Sequence, residues 1–151
     1  MIVKTGRLNY SVVSSNEWKF FTGNSFVNKH GALVMGRGAA LSVKMKYPDI
    51  DKAFGRIVKA SINSAGEYYL AWLRPPGIGV FQVKRNFKEK ADLDLIGASA
   101  GVLSAFARHY KDHTIHVNYP GIGYGGLDFS VVHAVLRKEC PQDNVIFWKV
   151  S

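Results

Sequence analysis

Cysteine and acidic residues are scarce in this chain of 151 residues. The single cysteine, Cys140, excludes an intramolecular disulfide and favours a reducing compartment. Because Cys140 precedes Pro141 in a polar turn, we do not expect it to be catalytic. No apolar run is long enough to span a membrane, and the first residues lack the apolar core of a signal peptide. These absences predict a soluble, cytoplasmic protein with no membrane partner.

The acidic residues number 11 against 20 lysines and arginines, so the formal net charge is +9 at pH 7. This surplus favours anionic partners such as nucleotides or nucleic acid, although an ordinary solvated surface fits the same composition. The charges are spread along the chain and form no like-charged block. With 47% hydrophobic residues and no linker or repeat, residues 1–151 are expected to form one globular domain.

Glycine, by contrast, is plentiful and forms two glycine-rich loops. The first loop, residues 31–40, reads GALVMGRGAA, and the second loop, residues 119–127, reads YPGIGYGGL. Glycine lets backbone N–H groups turn toward an anion and lets the anion approach without meeting a Cβ atom. Each loop leads into a predicted helix, whose N-terminus adds partial positive charge. We therefore predict that both loops hold one ligand, a diphosphate, although tight turns alone would also use glycine.

Residue patterns predict an α/β protein. β-branched and aromatic runs predict strands at residues 2–5, 10–13, 18–22, 68–73, 80–83, 114–118 and 145–148. Helical spacing of apolar residues predicts helices at residues 39–47, 49–62 and 93–110, and a fourth after residue 128. Asp128 is expected to be the N-cap of the fourth helix, and Gly97 and Gly101 are expected to pack the third helix closely on the sheet. The alternation predicts three layers, with ligands at the carboxyl ends of the strands.

Neither loop matches the familiar nucleotide-binding motifs. A Walker loop ends in Lys-Ser or Lys-Thr, and neither loop has this ending. Residues 121–126 fit the bare Gly-x-Gly-x-x-Gly pattern, but they lie near the C-terminus, without the following βαβ partner and acidic residue of a dinucleotide-binding fold.

Together, the loops resemble those of the macro domain, a module that binds ADP-ribose. Asn24 and the first loop resemble the family's loop around the distal ribose, and the second loop is similar to its diphosphate loop. The sequence Met-Gly-Arg-Gly-Ala-Ala most resembles the branch of DNA-ADP-ribose-removing antitoxins and ADP-ribosyl-glutamate hydrolases. The resemblance extends from about residue 20 to residue 148. It implies one domain, a three-layer α/β/α sandwich with a mixed central sheet.

The resemblance also implies a set of ligand-binding residues and a ligand, ADP-ribose or an ADP-ribosylated substrate. No cofactor and no metal are required, and we expect a monomer. The implied ligand-binding residues are Met35, Gly36, Arg37, Gly38, Ala39, Gly121, Ile122, Gly123, Tyr124, Gly125 and Gly126. The ring of Tyr124 is the aromatic group most expected to face the ligand, because it lies within a glycine loop.

Lys84 is the candidate for chemistry. It follows the predicted strand at residues 80–83, and in the resembled branch a lysine at this place takes part in removing ADP-ribose. Its amine could attack ribose C1″ and form a Schiff base, provided that burial or a neighbouring cation keeps it partly neutral. Arg85 could supply that cation or bind phosphate. Two ordinary solvated charges would fit the same two residues.

Asn24 and His30 are the other candidate catalytic residues. Asn24 could orient the distal ribose for attack, or could form an Asx turn. His30 could act as a general acid or base or could stabilise a terminal phosphate, or could be an exposed loop residue. The histidines at positions 109, 113 and 116 are predicted to end a helix, to lie in a turn and to lie in a strand, so we expect no metal site there.

The chain departs from the family in two places. Many macro domains place an Asp, which accepts from the adenine amino group, where this chain has Arg7. The glutamate hydrolases also carry an Asp inside the second loop, where this chain has Tyr124, Gly125 and Gly126. Adenine selectivity is therefore an open question, and a lysine–aspartate mechanism is not supported. The antitoxin-like loop has glycines at these positions and is the better comparison.

Three functions follow from the residues and the resemblance. The first is an enzyme, an ADP-ribosyl hydrolase or an ADP-ribose 1″-phosphate phosphatase, with ADP-ribosylated nucleic acid as one plausible substrate. The second is an ADP-ribose reader without turnover. The third is a basic nucleic-acid-binding domain in which the glycine runs are incidental turns.

Overall fold

The fold contains six strands and four helices within residues 1–150, the part of the chain that the computed structural model describes. The strands are β1 (Ile2–Thr5), β2 (Glu17–Gly23), β3 (Leu70–Leu73), β4 (Ile78–Gln82), β5 (Thr114–Asn118) and β6 (Val145–Lys149). The helices are α1 (Gly38–Lys46), α2 (Ile50–Ser61), α3 (Leu93–His109) and α4 (Phe129–Glu139).

The strands form one mixed sheet with the order β1-β6-β5-β2-β4-β3. The pairs are parallel except for β3 with β4, which is antiparallel. In the central strand β2, Phe20 packs among residues of α3 and α4, whereas Phe21 packs among residues of α1 and α2. Both side chains are fully buried, as expected for a strand covered on its two faces. The predicted three-layer α/β/α sandwich with a mixed sheet is confirmed.

The strand predicted at residues 10–13 is wrong. The segment is a loop, and side chains rather than a neighbouring strand bind the carbonyl groups of Tyr10 and Ser11. The ammonium group of the buried Lys19 donates to the carbonyl oxygens of Asn9 and Ser11, at 2.6 Å each. The hydroxyl of Tyr47 donates to the carbonyl oxygen of Tyr10 at 2.5 Å. A satisfied carbonyl row of this kind needs no sheet partner.

The strand predicted at residues 68–73 begins two residues later, at Leu70. The reason is the side chain of Gln82, whose Oε1 accepts from the backbone N–H groups of both Tyr68 and Tyr69, at 2.8 and 3.0 Å. Tyr69 also has a φ of 69°, in the left-handed region, which interrupts an extended strand.

Two expectations about the helices need correction. Gly97 faces α4 rather than the sheet, since a Cβ atom there would lie 3.3 Å from a methyl group of Val135. Asp128 does occupy the N-cap position of α4, but its carboxylate accepts from the hydroxyl of Ser130 and caps no backbone N–H group. Local spacing predicted where these helices lie, but not what their ends and glycines contact.

Cys140 is buried at the end of α4. Burial raises the pKa of its thiol to about 12, so the thiol stays protonated and unreactive at neutral pH. Among residues 1–150, no helix is both long and apolar enough to cross a membrane.

Candidate functional site

A cavity of about 600 Å³ lies at the carboxyl ends of the central strands. Asn24 follows β2, Lys84 lies two residues beyond β4, and Tyr119 follows β5, and all three line the cavity. Parallel strands bring their carboxyl ends to one edge of the sheet, which is where open α/β sheets bind ligands. The position of the cavity is therefore a consequence of the strand order.

Both glycine loops line this cavity. The predicted site residues found in its wall are Asn24, Gly36, Arg37, Gly38, Ala39, Lys84, Gly121, Ile122, Gly123, Tyr124 and Gly125. The structure does not bring the other three predicted residues to the wall. Met35 is buried in the core beside α1 and α2, and His30 is exposed in a turn. Gly126 belongs to the second loop but does not line the cavity, and it lies beside the side chain of Lys90.

The first loop ends at the N-terminus of α1. No side chain caps this terminus, and its first turn carries no acidic residue. Gly38, Ala39 and Ala40 line the cavity, and the N–H groups of a helix's first turn have no acceptor within the helix. An anion in the cavity can therefore receive these hydrogen bonds and the favourable field of the helix end.

The second loop is held in shape by close backbone packing. Gly121 has a φ of 79°, and a Cβ atom there would lie 2.7 Å from the Cδ1 atom of Ile96. A Cβ atom at Gly125 would lie 2.6 Å from the carbonyl oxygen of Gly121. Gly123, between them, has open space around its Cβ position. Two of these glycines are thus required by the fold, and the third leaves room for a ligand.

The two loops touch each other above the cavity. The guanidinium of Arg37 lies over the ring of Tyr124, 5.4 Å from its centroid. A Cβ atom at Gly38 would lie 3.5 Å from the same ring. Tyr124 is 70% exposed, so it lies at the cavity mouth and not in the core. The loops therefore form two sides of one enclosure.

Lys84 lies partly buried in this enclosure, and its pKa is lowered first by burial and then by the positive charge of Arg37. Glu89 acts in the opposite direction. A lowered pKa increases the fraction of neutral, nucleophilic amine at a given pH.

Arg85, the neighbour that the sequence suggested for this role, does not line the cavity. Its guanidinium forms ion pairs with Glu67 and Asp92 and donates to the carbonyl oxygen of Ala65. The carboxylate of Asp92 also caps α3 through two backbone N–H groups. Arg85 therefore anchors the segment after Lys84 and leaves the electrostatic role to Arg37.

Asn24 forms an Asx turn, which is one of its two predicted roles, and it also lines the cavity. Its Oδ1 accepts from the N–H group of Phe26 at 2.8 Å, which is an Asx turn. Its Nδ2 donates to the carbonyl oxygen of Val34 at 3.0 Å and so joins β2 to the first loop. Because an amide nitrogen has two hydrogens, one N–H remains for a ligand.

Several lining residues were missed by the sequence reasoning. Thr22 and Asn118 line the cavity from adjacent strand ends, and the hydroxyl of Thr22 donates to Asn118 Oδ1 at 3.0 Å. Leu8, Trp148 and Val150 line the side formed by β1 and β6. Thr22 and Asn118 could have been found from the sequence, because they are polar residues at the ends of predicted strands. Leu8, Trp148 and Val150 could not, because the sequence does not show that β1 pairs with β6.

The lining is basic. Arg7, Arg37 and Lys84 are its charged side chains, and within residues 1–150 no Asp or Glu lines the cavity. The same residues contain no group of three or more His, Cys, Asp or Glu side chains that could hold a metal ion. His116, the histidine in β5, instead accepts a hydrogen bond from the indole N–H of Trp148 at 3.0 Å. The lining is therefore suited to an anionic ligand.

No protein-family model and no curated protein sequence matches the chain. Solved structures do match it along its length. The macrodomain of Thermus aquaticus DarG superposes with a TM-score of 0.73 at 21% identity, covering 99% of this chain and 98% of that one. The macrodomain of Mycobacterium tuberculosis DarG gives 0.68 at 22% identity, covering 98% and 99%.

A third similar structure is Thermosipho africanus DarTG in complex with ADP-ribose, with a TM-score of 0.71 at 20% identity. It covers 89% of this chain and 38% of the longer DarTG chain. The two DarG macrodomains cover nearly the whole of this chain, and so its sheet and both helical layers. The chain therefore has the macrodomain fold.

Proposed function

We propose that the cavity binds ADP-ribose and that the protein hydrolyses an ADP-ribosyl bond. One observation carries the binding proposal: both glycine loops and the N-terminus of α1 line one cavity that has three basic side chains and no carboxylate. A volume of about 600 Å³ suits a ligand of this size. The ADP-ribose complex of a protein with the same fold supports the choice of ligand.

The strand order supports one direction for the proposed ligand. Lys84 and Asn24 follow the adjacent strands β4 and β2, so the distal ribose lies at this end. The diphosphate lies between the first and second loops, where backbone N–H groups and Arg37 can neutralise it. The nucleobase then lies toward β6 and β1, at the other end of the cavity.

The proposed chemistry uses Lys84 as the nucleophile. Its neutral amine forms a bond to C1″, and the bond from C1″ to the acceptor breaks, with the electron pair and a proton going to the acceptor. Ring opening breaks the C1″–O4″ bond, places a proton on O4″ and leaves an imine between C1″ and Nζ. Water then adds to C1″ and releases Lys84 and free ADP-ribose. The lowered pKa of Lys84 supports the first step, because only the neutral amine attacks.

The net positive charge supports an anionic acceptor, with ADP-ribosylated nucleic acid as the first substrate to test. Calorimetry with ADP-ribose, with ADP as the comparison, tests binding. Release of ADP-ribose from modified DNA, modified protein and ADP-ribose 1″-phosphate tests turnover. Reduction with cyanoborohydride during turnover should attach the ribosyl group covalently to Lys84, and peptide mass spectrometry would detect the adduct.

Lys84→Ala should abolish release while ADP-ribose affinity stays within about threefold, because the diphosphate contacts remain. The matched control is Lys59→Ala, which removes an exposed lysine on α2, outside the cavity. Binding without release from any substrate would select the reader function. No binding of ADP-ribose, together with steeply salt-dependent binding of nucleic acid, would overturn the proposal in favour of a nucleic-acid-binding domain.

A further inference from the structure

The ends of two central strands carry a polar pair to which the proposed chemistry gives no role. Thr22 lies near the end of β2, Asn118 is the last residue of β5, and both line the cavity. The hydroxyl of Thr22 donates to Oδ1 of Asn118 at 3.0 Å. Because this hydrogen bond engages the oxygen of the amide, the Nδ2 end of Asn118 is directed away from Thr22.

The Nδ2 atom of Asn118 is open to a ligand. Within residues 1–150 it donates to no other group of the protein, and it is not one of the buried polar side-chain atoms that lack a partner. Since Asn118 lines the cavity, its amide nitrogen presents two N–H donors there. No carboxylate of the described residues lines the cavity to accept from them.

The sheet places Asn118 at the middle of the cavity. In the strand order, β5 lies between β2, which Asn24 follows, and β6, where Trp148 is the register partner of Asn118. Asn118 also directly precedes the second loop, residues 119–127. It therefore lies between the end proposed for the distal ribose and the end proposed for the nucleobase. The part of ADP-ribose between those two ends is the diphosphate.

We propose that Asn118 binds the diphosphate of the ligand through its Nδ2 hydrogens, and that Thr22 is the positioning residue that holds the amide in this orientation. The inference rests on the proposed function, which places ADP-ribose in the cavity. The glycine loops supply backbone donors, and Asn118 adds side-chain donors from the strand ends. Hydrogen bonds to a charged group are stronger than those between neutral groups, so loss of Asn118 should lower the affinity measurably.

Asn118→Asp separates a binding role from a structural one. The carboxylate has the same shape and still accepts from the Thr22 hydroxyl, so a purely structural role predicts no loss of affinity. It offers no donor and adds a negative charge beside the diphosphate. Calorimetry should therefore give a dissociation constant for ADP-ribose about a hundredfold higher than that of the wild type. The matched control is Asn16→Asp, which adds the same charge at an exposed residue before β2, at the opposite end of that strand, and should leave the affinity unchanged.

Asn118→Ala locates the contact on the ligand. It removes the donors without adding charge, and it should weaken the binding of both ADP-ribose and ADP about tenfold, because both contain the diphosphate. Thr22→Val keeps the shape of the side chain but lets the amide rotate, so it should weaken both ligands about threefold. In the Thr22→Val background, Asn118→Ala should cost less affinity than it does alone.

If both Asn118 variants bind ADP-ribose within about twofold of the wild type, this inference is overturned while the proposed function stands. If Asn118→Ala weakens ADP-ribose but not ADP, Asn118 contacts the distal ribose and the inference is wrong. Urea denaturation should give both variants the unfolding free energy of the wild type, and weaker binding that merely follows a loss of stability would also overturn the inference. If the wild type does not bind ADP-ribose, the proposed function fails and the inference fails with it.

Discussion

The first and second glycine loops have similar compositions, but Gly36 of the first loop and Gly121 and Gly125 of the second have opposite surroundings. In the second loop, Gly121 and Gly125 have no room for a side chain, because backbone and core atoms lie within 3 Å of their Cβ positions. In the first loop, Gly36 has no atom within 4 Å of its Cβ position, although it lines the cavity. The fold therefore requires Gly121 and Gly125, whereas Gly36 lies in open space at the cavity wall. Gly31 and Gly38 of the first loop have positive φ angles, so the backbone conformation favours glycine at those two positions.

This difference distinguishes glycines that stabilise the fold from glycines that leave space for a ligand. The amino-acid composition of the loops does not make this distinction. A substitution in the packed part of the second loop disturbs the loop and everything it holds. A substitution in the open part of the first loop adds a methyl group where the ligand would lie and leaves the protein unstrained. Gly123 provides an internal comparison, since it belongs to the second loop but is open like Gly36.

The largest effect is expected from Gly125→Ala. The new methyl group would lie 2.6 Å from the carbonyl oxygen of Gly121 and 2.8 Å from the Cβ atom of Ala91, so the loop must shift. We expect the free energy of unfolding to fall by about 2 kcal/mol and ADP-ribose binding to weaken as well. Urea denaturation measures the first effect and calorimetry the second. If Gly125→Ala had the same stability as the wild type, the distinction between packed and open glycines would be wrong.

Gly36→Ala should affect binding alone. Its φ lies outside the left-handed region and its Cβ position is open, so we expect unfolding free energy within about 0.5 kcal/mol of the wild type. The added methyl group should weaken ADP-ribose binding about tenfold, because it would clash with the bound ligand. Gly123→Ala, in the same two measurements, should behave like Gly36→Ala and unlike Gly125→Ala. If Gly36→Ala or Gly123→Ala lost as much stability as Gly125→Ala, these two glycines would not be open positions.

At saturating substrate, where the loss of the Arg37 contact to the diphosphate no longer limits turnover, Arg37→Met should have the smallest effect, a displacement of the pH profile. Arg37 belongs to the first loop and lowers the pKa of Lys84, second to burial. Without this charge the pKa of Lys84 rises, less neutral amine exists at a given pH, and the acid limb of the turnover profile moves to higher pH. The profile of kcat against pH measures this, with Arg56→Met as the control. If the acid limb stays in place or moves to lower pH, the charge of Arg37 does not lower the pKa of Lys84.

Local patterns predicted most elements of the fold, because amphipathic spacing and β-branched runs respond to burial directly. The failed strand at residues 10–13 shows the limit. Its aromatic and β-branched residues, Tyr10, Val12 and Val13, are typical of a strand, but Lys19 and Tyr47 donate to the carbonyl groups of Asn9, Tyr10 and Ser11. Those donors come from β2 and the end of α1, so no local window contains the information.

The candidate site shows the same division. The two loops, Asn24 and Lys84 are visible from motifs and from positions at strand ends, and the structure places them around one cavity. The sequence could not show which arginine, Arg37 or Arg85, is the cation that acts on Lys84. Arg85 is adjacent in sequence, but its ion pairs with Glu67 and Asp92 hold it outside the cavity lining.

The sequence by itself determined the α/β class, the two glycine loops and the lysine after the fourth strand, since each depends on residues close together in the chain. Only the tertiary structure decided which glycines are open and which are packed, and that Arg37 is the cation acting on Lys84. It also brought Arg7 to the far end of the cavity through the pairing of β1 with β6. These features depend on contacts between distant segments, whose geometry is set by the order of strands in the sheet.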